Sequence, residues 1–304
     1  MYLHEDEGQF KEIIEIISKN TKTSPSVIEK DYYVTIILKL INEKSKLIGD
    51  AVFKGGTSLS KCHKAIDRFS EDIDITFTEH LGEKRRKKLK YNVMKTTSDE
   101  LHLAIKNWEF IQSDRDLNSY FFDYHSLFET SNINLREGVK VETALASYSF
   151  PTEAMKISSF VGDYLIEHEP ELAQKYSLLL FEMKVQSLER TFIDKVYASC
   201  DYYIQGKSRR LSRHLYDLHK IFPRMNFDEK FKELVKEVKS HRSTMDICPS
   251  AKPGINISKL IQKYCDEDFY KADFDIITET LINEKIEYEK VIETMRKIAS
   301  FDFW

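Results

Sequence analysis

Two aspartates two positions apart, in Arg68-Phe69-Ser70-Glu71-Asp72-Ile73-Asp74-Ile75, follow closely on the stretch Phe53-Lys54-Gly55-Gly56-Thr57-Ser58-Leu59-Ser60-Lys61. Residues two apart on a strand point to the same side. Asp72 and Asp74 therefore face one solvent cleft, while Ile73 and Ile75 face the core. Acids are poor strand formers, so a pair in one short strand asks for a reason. Gly55 and Gly56 let the backbone come close to an anionic ligand, and Thr57 and Ser58 fall where free amides and hydroxyls can hold phosphate oxygens. Hard divalent cations take carboxylate oxygens. Two acids beside a phosphate cradle suggest a divalent metal holding a triphosphate. Each segment also has an ordinary reading, a strand-to-helix turn and a solvated strand edge.

Helices and strands alternate around this pair. Glu7 to Asn20 has helical apolar spacing through Phe10, Ile13, Ile14 and Ile17. Ser24-Pro25 opens a second helix reaching about Ile41. Ala51 to Lys54 reads as a strand, Thr57 to Ile66 as a helix, Asp72 to Phe77 as the second strand and Glu83 to Lys106 as a long charged helix. Trp108 to Ser113 and Tyr120 to His125 read as strands. Gly138 to Ser147 alternates, with Val139, Val141, Thr143 and Leu145 on one side and Lys140, Glu142 and Ala144 on the other. Pro151 to Leu165 reads as a further strand and its turn. From about Phe181 the pattern turns helical: 188–204, 209–221, 227–240, 257–265 and 284–299. The expected organisation is an α+β core with N-terminal helices over residues 1–180, then a helical domain over 181–304.

Composition narrows the class. Of 304 residues 41% are apolar, with 19 Phe and 16 Tyr, which suffices for a sizeable core. No apolar run is long enough to span a bilayer, and Met1 to Phe10 lacks the basic start and apolar stretch of a secretion signal. The four cysteines are scattered without a C-x-x-C pair, so a reduced, cytoplasmic protein is the simplest reading. The formal charge of −4 rules out a general polycation. Contact with nucleic acid would fall to local clusters, Lys84-Arg85-Arg86-Lys87-Lys88-Leu89-Lys90 or Lys207-Ser208-Arg209-Arg210 with Arg213. For the first cluster a solvated helix face is the competing reading.

Four segments in order resemble the AbiEii/AbiGii-type toxin nucleotidyltransferases, which include the MenT toxins, within the polymerase-beta-type nucleotidyltransferase superfamily. They are Lys54-Gly55-Gly56-Thr57-Ser58-Leu59, Arg68-Phe69-Ser70-Glu71-Asp72-Ile73-Asp74, Leu188-Glu189-Arg190-Thr191-Phe192-Ile193-Asp194-Lys195 and Arg213-His214-Leu215-Tyr216-Asp217-Leu218. The early segment Glu29-Lys30-Asp31-Tyr32-Tyr33-Val34 is similar to the family as well. The resemblance implies a mixed sheet flanked by helices, with a C-terminal helical domain completing the cleft. It implies transfer of a nucleotide from an NTP to a hydroxyl with Mg²⁺, or Mn²⁺ in its stead. Asp72 and Asp74 would hold metal, with Glu142 in the place of the third acid. Lys195 and Asp217 would belong to the active site. Gly55, Gly56, Thr57, Ser58, Lys61, Arg68 and Ser70 would contact the NTP or orient its neighbours. The implied biology is a toxin–antitoxin or phage-defence pair, with a tRNA 3′ end as acceptor, an antitoxin as partner and no membrane. Transfer to a protein or small molecule, and a non-catalytic nucleotide-binding module, stand as alternatives. Taken alone, Lys195 would be a surface charge or a partner of Asp194 or Glu189, and Asp217 a partner of Arg213 four residues back.

Overall fold

The structure, a computed structural model, describes residues 1–129, 135–148 and 150–304. The chain forms two compact units, one of residues 1–62 and 70–185, the other of 63–69 and 186–304.

The first unit begins with α1 (Glu7–Thr21), whose Phe10, Ile13, Ile14 and Ile17 are buried as the spacing predicts. Next comes α2 (Pro25–Ser45), with proline in its first turn. This helix is buried nearly all round: Ile28, Tyr32, Ile37, Leu38 and Ile41 lie in the core, and Glu29 and Lys30 are buried with them. Buried charges need partners; Glu29 and Lys30 have them, and so has the half-buried Asp31 that follows. Glu29 accepts from the Leu127 amide at 2.9 Å. Lys30 pairs with Glu71 at 3.3 Å and donates to the carbonyls of Arg136 and Gly138. Asp31 pairs with Lys61 and accepts from the Phe160 amide at 2.9 Å.

A six-stranded sheet follows, built from β1 (Ala51–Lys54), β2 (Ile73–Phe77), β3 (Leu117–Phe122), β4 (Val139–Tyr148), β5 (Thr152–Ile157) and β6 (Phe181–Gln186), in the order β3-β4-β2-β1-β6-β5. The central pair β1–β2 is antiparallel, whereas β2–β4 and β1–β6 are parallel. Ile73 and Ile75 are fully buried, and Asp72 and Asp74 alternate with them on the half-exposed side. The fold is thus the expected α+β type, a mixed sheet flanked by helices.

Several elements differ from the sequence reading. The helix after β1 is α3 (Gly55–Lys61) and stops well before Ile66. The long charged helix breaks into Glu83–Lys88, a π-helical turn Leu89–Lys95 and Thr96–Glu100. The wider turn lets Leu89, Val93 and Met94 all be buried. Beyond it the helix ends in a turn with His102 at φ +55°, the Leu103 amide donates back to the Ser98 carbonyl at 3.0 Å, and Leu101, Leu103 and Ile105 are buried, with Ile105 bridging to Phe122. Trp108–Phe110 is a 3-10 turn rather than a strand. A helix, Phe160–His168, stands after β5 in place of a turn. Phe181–Gln186, expected at the start of the helical part, is strand β6 beside β1.

The second unit is helical. It contains Leu188–Ile204, Arg213–Ile221, Glu229–Ser243, Ile257–Asp266 and Tyr288–Ala299. It also takes in 63–69, the connection between α3 and β2. Arg68 bridges to Ile282, the Phe69 amide donates to the Leu281 carbonyl at 3.0 Å, and Arg224 donates to the carbonyls of His63 and Lys64. Its closing residues Phe301, Phe303 and Trp304 pack against Phe227 and Phe231. Among the described residues no helix is long and apolar enough to cross a membrane.

Candidate active site

In the first unit, β1 and β2 set Lys54 opposite Asp74, so the glycine turn leaving β1 starts beside an acid. Gly55 has φ +80°, and a Cβ there would lie 1.9 Å from Asp74 Oδ2. Glycine is required twice over, for the left-handed backbone and for the space the carboxylate occupies. The anion that this turn approaches is Asp74 itself. Register then pairs Asp74 with Glu142 on β4.

The Glu142 carboxylate is engaged by Lys140 at 2.7 Å and Ser119 Oγ at 3.1 Å. Burial pushes its pKa up, but Lys140, with help from Ser119 and Arg136, outweighs burial and holds it below the ordinary glutamate value. Asp72 stands just before β2. Its Oδ1 is buried without a hydrogen bond among the described residues and faces Arg136 Nη1 at 3.5 Å.

The hydroxyls expected at phosphate are turned inward. Ser58, fully buried, donates to the Gly55 carbonyl at 2.9 Å, and Thr57 Oγ1 lies 2.9 Å from Ser70 Oγ. Lys61, expected near phosphate or in solvent, is nearly buried and bound to Asp31 and the Ser158 carbonyl. It fastens the end of α3 to α2.

In the second unit, Arg68, Lys195 and Asp217 come together and are all buried. Arg68 donates to both carboxylate oxygens of Asp217, from Nε at 2.6 Å and Nη2 at 2.8 Å. Lys195 Nζ approaches the same carboxylate at 2.7 Å. Burial alone would raise the Asp217 pKa, and the two cations reverse that and hold it well below the usual carboxylate range. Burial, with Arg68 beside it, lowers the Lys195 pKa even though Asp217 opposes the shift. Asp217 thus pairs with Arg68 and Lys195 rather than with Arg213, and Arg68 is directed to an acid. His214, on the same helix as Asp217, is held neutral by burial and by Lys195 and Arg213.

Arg136 and Lys140 were not singled out from the sequence. Lys140 was legible, since it lies two positions before Glu142 on the same strand face. Arg136 lies where no periodicity exists, so nothing in the sequence marked it.

A hard cation would find only oxygen donors in Asp72, Asp74 and Glu142, and the Asp72 oxygen without a hydrogen bond fits it. Among the described residues no three His, Cys, Asp or Glu side chains are already gathered around a common point. Glu142 is instead paired with Lys140 at 2.7 Å.

Residues 37–299 match the family model described as Nucleotidyl transferase AbiEii toxin, Type IV TA system. The chain belongs to the AbiEii toxin family. No curated protein matches it. As an AbiEii chain it is an enzyme, a nucleotidyltransferase of toxin–antitoxin type, with an NTP as substrate and an antitoxin as counterpart.

Proposed function

We propose that this AbiEii enzyme transfers a nucleotide from an NTP to the 3′ end of a tRNA in a Mg²⁺-dependent reaction, in the cytoplasm. The observation that carries this reading is the Gly55 turn against Asp74, with Asp72 beside it on the same strand face. Asp72 and Asp74 would hold the metal, with Glu142 as third ligand. When bound, the divalent ion neutralises the triphosphate and activates the attacking hydroxyl. The backbone from Gly55 to Ser58 receives the triphosphate. Ser70 positions Thr57, and Lys61 fixes α3 rather than touching substrate. Lys195 neutralises phosphate charge. Asp217 and Arg68 act through Lys195, holding its ammonium in place.

A nucleic-acid acceptor needs basic surface. The loop before Arg213–Ile221 supplies it: Lys207, Arg209, Arg210 and Arg213 make no ion pair among the described residues. The loop backbone is fixed, because buried Asp273 accepts the amides of Arg210 at 2.6 Å, Leu211 at 3.1 Å and Ser212 at 3.0 Å. Asp273 caps the chain and leaves Lys207 and Arg209 exposed and Arg210 and Arg213 half-exposed.

The test is incubation with labelled NTPs, Mg²⁺ and total RNA or lysate, using the wild type, Asp72→Ala and Lys195→Ala. Label appears in the tRNA fraction with the wild type and is lost with both variants, which remain folded: in Lys195→Ala Arg68 still neutralises Asp217, and Asp72→Ala removes a half-exposed carboxylate whose only ion pair among the described residues, to Arg136, is 3.5 Å long. Label in protein moves the acceptor to a polypeptide. Transfer by either variant at the wild-type rate removes that residue from the mechanism.

A further inference from the structure

Two cations stand where a divalent ion would bring its charge. Arg136 faces Asp72 at 3.5 Å, and Lys140 holds Glu142 at 2.7 Å. We propose that Arg136 and Lys140 are built-in counter-ions of the acid cluster: they balance Asp72 and Glu142 until the divalent cation arrives, and then pass to the polyphosphate of the NTP. This rests on the reading of Asp72, Asp74 and Glu142 as metal-binding acids.

The backbone of Arg136 is fixed while its side chain is not. Its amide donates to both oxygens of Glu71 at 3.2 Å, and its carbonyl accepts from Lys30, a lysine only 1% exposed. Glu71 is thus held by Lys30 at 3.3 Å on one side and grips Arg136 on the other. The neighbouring Asp72 is thereby set against the guanidinium. The Arg136 side chain is 36% exposed, and its contact with Asp72 leaves Oδ1 without a hydrogen bond. An ion pair this open and this long is weakly held. Lys140 is 19% exposed and reaches Glu142 along one strand face.

Lys30 and Lys61 cannot move this way. Lys30 is tied to two carbonyls and Glu71, and Lys61 to Asp31 and Ser158. Arg136 and Lys140 together carry two positive charges against the two negative charges of Asp72 and Glu142. A divalent ion brings the same charge, so exchange leaves the net charge of the Asp72, Asp74 and Glu142 cluster unchanged and frees a guanidinium and an ammonium. Both suit phosphate, the guanidinium by its fork of donors. Without nucleotide they compete with the metal, and its apparent affinity falls by the fraction of molecules in which the acids are uncovered.

The test is Mn²⁺ titration of the nucleotide-free protein by calorimetry, with a non-hydrolysable triphosphate titrated separately in Mg²⁺. Arg136→Gln and Lys140→Gln each bind Mn²⁺ more tightly, by about fivefold, and bind the triphosphate more weakly by a similar factor. Arg136→Lys, which keeps the charge, stays near the wild-type Mn²⁺ affinity. The opposite signs for metal and nucleotide separate this role from a structural one, which would weaken both together. Mn²⁺ affinity unchanged or lowered in both Gln variants, with unaltered melting temperature, overturns the inference alone. Absence of Mn²⁺ binding in the wild type and in both variants overturns it together with the metal reading. The Lys140 variant decides the matter if the Arg136 variant fails to fold.

Discussion

A carboxylate with no exposed surface between two cations is a stability element as well as a site residue. Asp217 offers one negative charge to Arg68 and Lys195, so the buried group carries a net positive charge. Removing the acid leaves two buried cations facing each other, and breaking a buried pair costs about 3–5 kcal/mol. Asp217→Asn keeps the shape and removes the charge, so urea unfolding at neutral pH should show a loss of that size. The pH dependence has a definite sign. The folded-state pKa of Asp217 lies below its unfolded value of 3.8, so the stabilisation is complete above that pH and declines as pH falls through the folded value. Asp217→Asn should therefore lose stability at neutral pH and show a flatter acid limb than the wild type. Parallel acid limbs in the two proteins would mean that Asp217 is not the anionic partner of Arg68 and Lys195.

At the scale of elements, α2 is the organiser of the first unit. Its Glu29, Lys30 and Asp31 grip five separate chain stretches, at Leu127, at Glu71 and at Arg136 with Gly138, and at Lys61 and Phe160. Lys30→Met retains the apolar stem but leaves Glu71 half-satisfied and two carbonyls short of a donor. Denaturation should report a loss of about 3–5 kcal/mol, with Glu71→Gln recovering part of it in the double variant. The place of this helix was plain from Ser24-Pro25 and its apolar spacing, and so were β1, β2 and β4. The alternation Ile73, Ile75 against Asp72, Asp74 placed the acids on one face. The misread stretches share a physical cause. Leu101, Leu103 and Ile105 recur every second residue, but the helix before them ends in a left-handed turn at His102 that no residue type announces. Met183 and Val185 carry the same period in β6, yet their burial depends on β1, far away in sequence. The Arg68–Asp217–Lys195 group joins residues 149 apart in sequence, and only tertiary packing shows that Asp217 prefers Arg68 to its helix neighbour Arg213.

Over the whole molecule, an acidic chain must bind an anionic acceptor through local charge, and the two basic clusters differ in how that charge is spent. In the first, Arg85 pairs with Glu79 at 2.8 Å, Arg86 with Asp116 at 2.7 Å and Lys87 with Glu83 at 2.9 Å, Lys90 lies over the Trp108 ring, and exposed Lys84 and Lys88 keep their charge for solvent. In the second, Asp273 is spent on backbone amides, and Lys207, Arg209, Arg210 and Arg213 keep their charge for solvent. Each phosphate neutralised on a single strand contributes about −0.7 to the slope of log affinity against log salt. Replacing Lys207, Arg209 and Arg210 together by Gln should then flatten that slope for tRNA by about two, read by fluorescence anisotropy across a salt series. The matching triple replacement of Arg85, Arg86 and Lys87 should leave the slope almost unchanged, because those charges already have carboxylates. A flattened slope from the first cluster, with none from the second, would reverse the assignment of the acceptor surface. Equal small effects from both would remove the nucleic-acid backbone as the group this loop binds.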